Sequence, residues 1–217
     1  MFRRWEMLLK LLASPRKLRQ ALFWANNEWS LPAPQEVKWS VLRRYGSEAD
    51  IWIETGTFLG ETTKMLSSLS RKVITILPSE DLFLRASKKF AADSHVQVLN
   101  GDSETLIRGV LEVCNSSVGL WLDGHYSGGE TFKGHQVTPI LDELEAVQDF
   151  VNAGGSGVVF VDDVRLFDSP GSGYPSRHEL TSWADRNHAW WTIEHDIFVS
   201  KFGDFSPDRI FTNLSDM

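Results

Sequence analysis

The segment Glu54-Thr55-Gly56-Thr57-Phe58-Leu59-Gly60 sets a carboxylate directly before a Gly-x-x-x-Gly turn. Glycines permit a tight turn and close backbone approach to a ligand, and a helix starting after Gly60 would offer unpaired N–H groups. Glu54 would repel a phosphate at this turn and attract a cationic, amino-acid-like group. Further along, Asp123 and the pair Asp162-Asp163 each close an apolar run. Carboxylates crowded together repel one another unless a cation intervenes. Magnesium takes hard oxygen ligands and keeps several waters, so two or three such acids suffice to hold it. The same acids could instead cap helices or pair with Arg165. His125 follows Asp123 by two residues. An imidazole titrates near neutral pH and suits removal of a proton from a hydroxyl; its other reading is a histidine that orders a loop.

These residues need elements to position them, and an alternation of strands and helices begins at residue 50. Ile51–Glu54, Lys72–Leu77, Val96–Leu99, Val118–Leu122 and Gly157–Val161 read as five strands. Helices follow the glycine turn through Leu69, over Glu80–Ala92, from Ser103, and over Pro139–Asn152. Near the end, Trp190–Lys201 and Arg209–Asn213 flank a Gly-Asp-Phe-Ser-Pro turn and read as an antiparallel pair. The expected fold is α/β and Rossmann-like, a mostly parallel sheet with an antiparallel C-terminal edge pair and helices on both faces. In such sheets ligands bind beyond the carboxyl ends of the strands, which is where Glu54, Asp123 and Asp162 fall.

Residues 1–45 read as a helical extension before a main domain over 46–217. Trp5, Leu8, Leu9 and Leu12 recur at helical spacing, as do Leu18, Leu22 and Phe23, before Pro32 and Pro34 interrupt the pattern. Residues 1–20 carry six basic side chains against one acid, although the whole chain has a net charge of −7. This end could pack on the main domain, pack on a second copy of the chain in a homo-oligomer, or lie on an anionic membrane surface. Met1–Ala13 resembles a signal peptide, but Glu6 and Lys10 interrupt its apolar patch, so it is expected to be retained.

The acidic balance excludes a dedicated nucleic-acid binder, whose domain is normally basic. The single cysteine, Cys114, rules out an intrachain disulfide and is expected to be a core residue. No apolar run reaches the ~18–20 residues of a membrane span. A cytoplasmic location, with or without peripheral membrane contact, is the expectation.

Taken together, Glu54-Thr-Gly-x-x-x-Gly60, Gly101-Asp102-Ser103, Leu122-Asp123-Gly124-His125 and Val161-Asp162-Asp163 resemble the class I S-adenosylmethionine-dependent methyltransferases. The segment Trp121–Gly129 is similar to that of methyltransferase-like proteins carrying Trp-Leu-Asp-Gly-His-Tyr-Ser-Gly-Gly, and more distantly to macrocin-type metal-dependent sugar O-methyltransferases. The resemblance spans residues 37–213. It implies that Gly56, Thr57 and Gly60 cradle the methionine part of S-adenosylmethionine, that Glu54 holds its amino end, and that Asp102 and Ser103 lie beside the adenine. Asp123 is implied both beside the cofactor and, with Asp162 and Asp163, as a ligand of Mg2+. His125 is implied as the general base, and the acceptor as a sugar or another small polyhydroxy compound. The loops over 126–134 and 167–175 would wall the acceptor site.

One departure stands out. Class I methyltransferases usually end the second strand with an acid that grips the ribose, and here that position is Leu77. Loss of a charge-assisted hydrogen bond costs about 1.5–3 kcal/mol, or roughly tenfold to a hundredfold in affinity. The alternative reading is therefore a catalytically degenerate binding or scaffolding protein on the same fold.

Overall fold

The computed structural model describes residues 15–124 and 138–205. Short apolar runs form β1 (Ile51–Thr55), β2 (Lys72–Leu77), β3 (Val96–Asn100), β4 (Val118–Leu122) and β5 (Gly157–Val161). With β6 (Trp190–Glu194) and β7 (Ile197–Phe202) they make one seven-stranded sheet in the order β3-β2-β1-β4-β5-β7-β6. The pairings from β3 through β5 are parallel; β7 runs antiparallel to both β5 and β6. Every residue of β4 and β5 is buried, as expected of strands covered on both faces.

The antiparallel edge pair exists, but its composition differs from the sequence reading. The run Trp190–Lys201 is two strands, folded back at His195 and Asp196, which have φ of 51° and 75°. Two consecutive left-handed residues make the tight hairpin turn whose twist suits adjoining strands. Two non-glycine residues carry it, so no glycine marked it in the sequence. Arg209–Asn213, the segment before Pro15 and residues 125–137 lie outside the described residues.

Among the described residues there are seven α-helices: α1 (Pro15–Asn26), α2 (Gln35–Tyr45), α3 (Glu61–Ser67), α4 (Glu80–Lys89), α5 (Ser103–Glu112), α6 (Ile140–Asn152) and α7 (Arg177–Arg186). Two of them begin with side-chain caps. The Leu82 N–H donates to Ser79 Oγ, and Ser176 and Glu179 form a reciprocal capping box.

Alternating residues of each strand feed two cores. On one face Ile53, Leu120, Leu122, Val159 and Val161 meet Ile107, Leu144 and Trp183 from α5, α6 and α7. On the other, Trp52, Trp121, Val158 and Phe160 meet Val41, Leu42 and Tyr45 of α2 and Leu66 of α3. Trp52 stacks on Phe160 with ring centroids 5.5 Å apart. A Cβ at Gly119 on the neighbouring β4 would come within 2.8 Å of that indole, so glycine makes its room.

α2 thus packs directly on the sheet. α1 differs, since Leu22, Phe23, and Trp29 beyond its end are exposed. No helix among the described residues is long and apolar enough to cross a membrane.

Candidate active site

Register brings the strand ends together. Thr55 pairs with Leu122, and Leu122 with Val161, so β1, β4 and β5 stop level with one another. The next residues are Gly56, Asp123 and Asp162. The Asp123 N–H donates to Thr55 O at 3.3 Å and the Asp162 N–H to Leu122 O at 3.1 Å, which extends the ladder one step and sets the two acids side by side. Asp163 follows with φ 59° and ψ 38°, a left-handed conformation uncommon outside glycine. This turn cancels the strand alternation that would have sent neighbouring side chains apart. Carboxylate oxygens of Asp123, Asp162 and Asp163 consequently lie within 4.8 Å of one another.

Two cations meet these acids. Lys38, from the inward face of α2, donates to both carboxylate oxygens of Asp162 at 2.7 and 2.6 Å and to Asp163 Oδ1 at 3.3 Å. Its residue is 7% exposed, against 6% for each aspartate. Arg165 bridges Asp163 to Asp196, which comes from the β6–β7 turn. Among the described residues, the carboxylates of Asp123, Asp162, Asp163 and Asp196 meet the cations Lys38 and Arg165 here. The titration directions agree with that. Burial alone would lower the Lys38 ammonium, yet Asp162 and Asp163 outweigh it and its pKa is raised. Asp162 is also raised, first by burial and then by Asp123, with Lys38 only partly opposing.

Beneath the glycine turn, Glu54 is 1% exposed. Its Oε2 accepts from Thr63 Oγ1 at 2.5 Å and from Thr75 Oγ1 at 2.8 Å. Burial pushes its pKa to about 7 despite those hydrogen bonds. Gly56 and Gly60 both have positive φ, 81° and 71°, and Phe58 between them has φ 43°. Thr57 is buried and bonded to Thr75, whereas Phe58 and Leu59 are 48% and 52% exposed. The Lys89 ammonium donates to Leu59 O at 2.8 Å and Gly60 O at 3.2 Å, holding the turn from outside.

At the end of β3, Asp102 is exposed and Ser103, the first residue of α5, is buried. Beside Ser103 and Thr55 lies Glu143 of α6, fully buried. No hydrogen bond of ordinary geometry reaches either of its carboxyl oxygens among the described residues. Burial, only partly offset by those two hydroxyl side chains, raises its pKa to about 7. Leu77 ends β2 and is 2% exposed, so no ribose acceptor stands at that position. Ser79 is taken up as the cap of α4.

Of the residues singled out in the sequence, the fold gathers Glu54, Gly56, Thr57, Gly60, Asp102, Ser103, Asp123, Asp162 and Asp163 at one rim of the sheet. His125 and the 126–134 loop lie outside the described residues. The 167–175 loop does return toward the acids: Tyr174 packs on Phe167 with centroids 5.3 Å apart, and burial followed by Asp163 raises its phenol pKa. Sequence reasoning missed Lys38, Asp196 and Glu143. Lys38 is one of three basic residues on α2, with Arg43 and Arg44, and its spacing carries no sign of what it faces.

No family model and no curated protein matches the chain. Solved structures do. A candidate caffeoyl-CoA O-methyltransferase from Staphylococcus aureus superposes with a TM-score of 0.54 at 14% identity, covering 92% of this chain and 98% of that one. A methyltransferase from Geobacter sulfurreducens gives 0.52 at 14% identity, covering 87% and 90%. A candidate rRNA methylase from Clostridium thermocellum gives 0.51 at 11% identity, covering 76% and 93%. The chain has the Rossmann-like fold of the class I methyltransferases.

Proposed function

We propose that this protein is an S-adenosylmethionine-dependent O-methyltransferase acting on a hydroxyl of a small polar acceptor, such as a sugar. The observation that carries this reading is the gathering of the carboxyl groups of Glu54, Asp123 and Asp162 beside the left-handed Gly56–Gly60 turn. Such a gathering repels phosphates and attracts a cation bearing an amino-acid end. S-adenosylmethionine supplies a methyl group on a sulfonium, which is positively charged before transfer and neutral after it.

The backbone of Gly56, Thr57 and Gly60 would hold the methionine part, over a floor set by Glu54. Asp102 and Ser103 would flank the adenine, and Asp123 would stand between donor and acceptor. Phe58 and Leu59 on one side and Tyr174 on the other would bound the acceptor and limit water. The acceptor hydroxyl must lose its proton as its oxygen bonds to carbon, and His125 is the residue proposed to take it. In-line positioning supplies much of the rate of such a displacement.

Magnesium was expected at Asp123, Asp162 and Asp163. The donor atoms are of the right chemistry, but both oxygens of Asp162 are already engaged by Lys38. The cluster as folded does not fit a resident divalent ion, and no step is assigned to one.

A second reading rests on Leu77. A buried leucine where the ribose would be gripped favours a binding protein that has lost turnover. Calorimetry of the purified chain with S-adenosylmethionine tests both. Saturable binding, with methyl incorporation into a hydroxylated acceptor, supports the enzyme. Binding without incorporation across a panel of sugars favours the second reading, and no heat at all defeats both.

A further inference from the structure

The acid cluster holds its own cation. We propose that Lys38 is the built-in counter-ion of Asp162 and Asp163, standing where a divalent metal would otherwise bind, so that this site works without metal and α2 is part of it.

Three observations carry this. The first is position. Lys38 Nζ is nearly equidistant from the two oxygens of Asp162, at 2.7 and 2.6 Å, which places it in the plane that bisects the carboxylate. A divalent ion chelated by both oxygens would lie in the same plane, at about 2.0–2.6 Å from each. An ammonium already held by both oxygens competes with such an ion. An ion on one oxygen alone would share its ligand with an ammonium a few ångströms away.

The second is charge. One ammonium contacts Asp162 Oδ1, Asp162 Oδ2 and Asp163 Oδ1, so a single positive charge is shared between the two carboxylates. Lys38 therefore holds both carboxylates in place, which makes it a positioning residue for the site.

The third is anchoring. Val37, Val41, Leu42 and Tyr45 lie on the buried face of α2, and Val41 and Leu42 are fully buried in the core against the sheet. Lys38 precedes Val41 and Leu42 by three and four residues, so it projects from that same face. A lysine presented by a packed helix into a space closed by Asp162 and Asp163 is not a surface side chain that chose a nearby acid.

The inference concerns the acid cluster and does not depend on methyl transfer. Its test is Mn2+ binding followed by electron paramagnetic resonance, on the full chain at neutral pH without methyl donor. The wild type is expected to show no saturable site at Asp162. Lys38→Met, which keeps the apolar stem and removes the charge, is expected to gain a single Mn2+ site, at least about tenfold tighter than any wild-type binding. Adding Asp162→Asn should abolish that site. A wild type that already binds one Mn2+ tightly and loses it on Asp162→Asn overturns the proposal, as does a folded Lys38→Met with no gain. If Lys38→Met does not fold, the wild type compared with Asp162→Asn decides alone. Calorimetry with S-adenosylmethionine in the presence of a chelator reports separately on the functional reading.

Discussion

A Cβ placed on Gly56 would stand 2.3 Å from the carbonyl oxygen of Asp123 and 2.7 Å from its carbonyl carbon. The first turn and the end of the fourth strand therefore pack backbone to backbone, which sets the glycine turn directly against the acid cluster. Glycine is needed at this position twice over, for φ of 81° and for the missing Cβ.

Gly56→Ala should accordingly cost about 1–3 kcal/mol or more of stability and weaken S-adenosylmethionine binding, since the turn must move to relieve the clash. Thermal melting and calorimetry would show both. An alanine variant with unchanged melting temperature and affinity would contradict the close packing.

Glu54→Gln keeps the shape of a side chain whose Oε2 receives Thr63 and Thr75. Measured above pH 7, where the folded carboxyl ionises, removing its charge should lower affinity for the cationic donor by about tenfold or more, and affect the neutral demethylated product less. Equal losses for donor and product would argue against an electrostatic role.

The pH dependence of stability has a predictable sign. Glu143 and Glu54 both have pKa raised to about 7 in the folded state, chiefly by burial. A carboxyl raised in this way binds more protons folded than unfolded between the ordinary glutamate range and pH 7, so stability falls as pH rises through that window. Each contributes up to about 3 kcal/mol across it. Glu143→Gln should flatten the decline between pH 5 and 8 in urea denaturation and leave the variant more stable than the wild type at pH 8. A wild type whose stability climbs over that interval would refute the assignment.

Lys38 and Asp162 should be coupled. Lys38→Met strands buried carboxylates and should cost about 3–5 kcal/mol. Combining it with Asp162→Asn should recover part of that loss, because the orphaned charge is removed with its partner. Additive losses in the double-mutant cycle would mean that the two side chains do not interact in solution.

The strand set was legible from the chain because its determinants are local. Lys72–Leu77, Val118–Leu122 and Gly157–Val161 are apolar runs bounded by polar residues or turns, and the structure starts and stops them at the same residues. The glycine turn and the placing of Asp123 and Asp162 at strand ends were legible for the same reason: Gly56 and Gly60 announce the backbone they require, and an acid after an apolar run marks where a strand leaves the sheet. The β6–β7 turn was not, since two non-glycine residues, His195 and Asp196, carry its left-handed conformations.

What only the tertiary structure decided is what neutralises the acids. Lys38 and Asp162 are 124 residues apart. Their contact depends on α2 docking with Val41 and Leu42 inward, on β4 and β5 lying side by side, and on the left-handed turn at Asp163. Each is a non-local packing outcome, and a lysine on an amphipathic helix carries no local trace of it. The sequence determined that carboxylates would gather at the rim of a parallel sheet; long-range packing determined that an ammonium would be waiting among them.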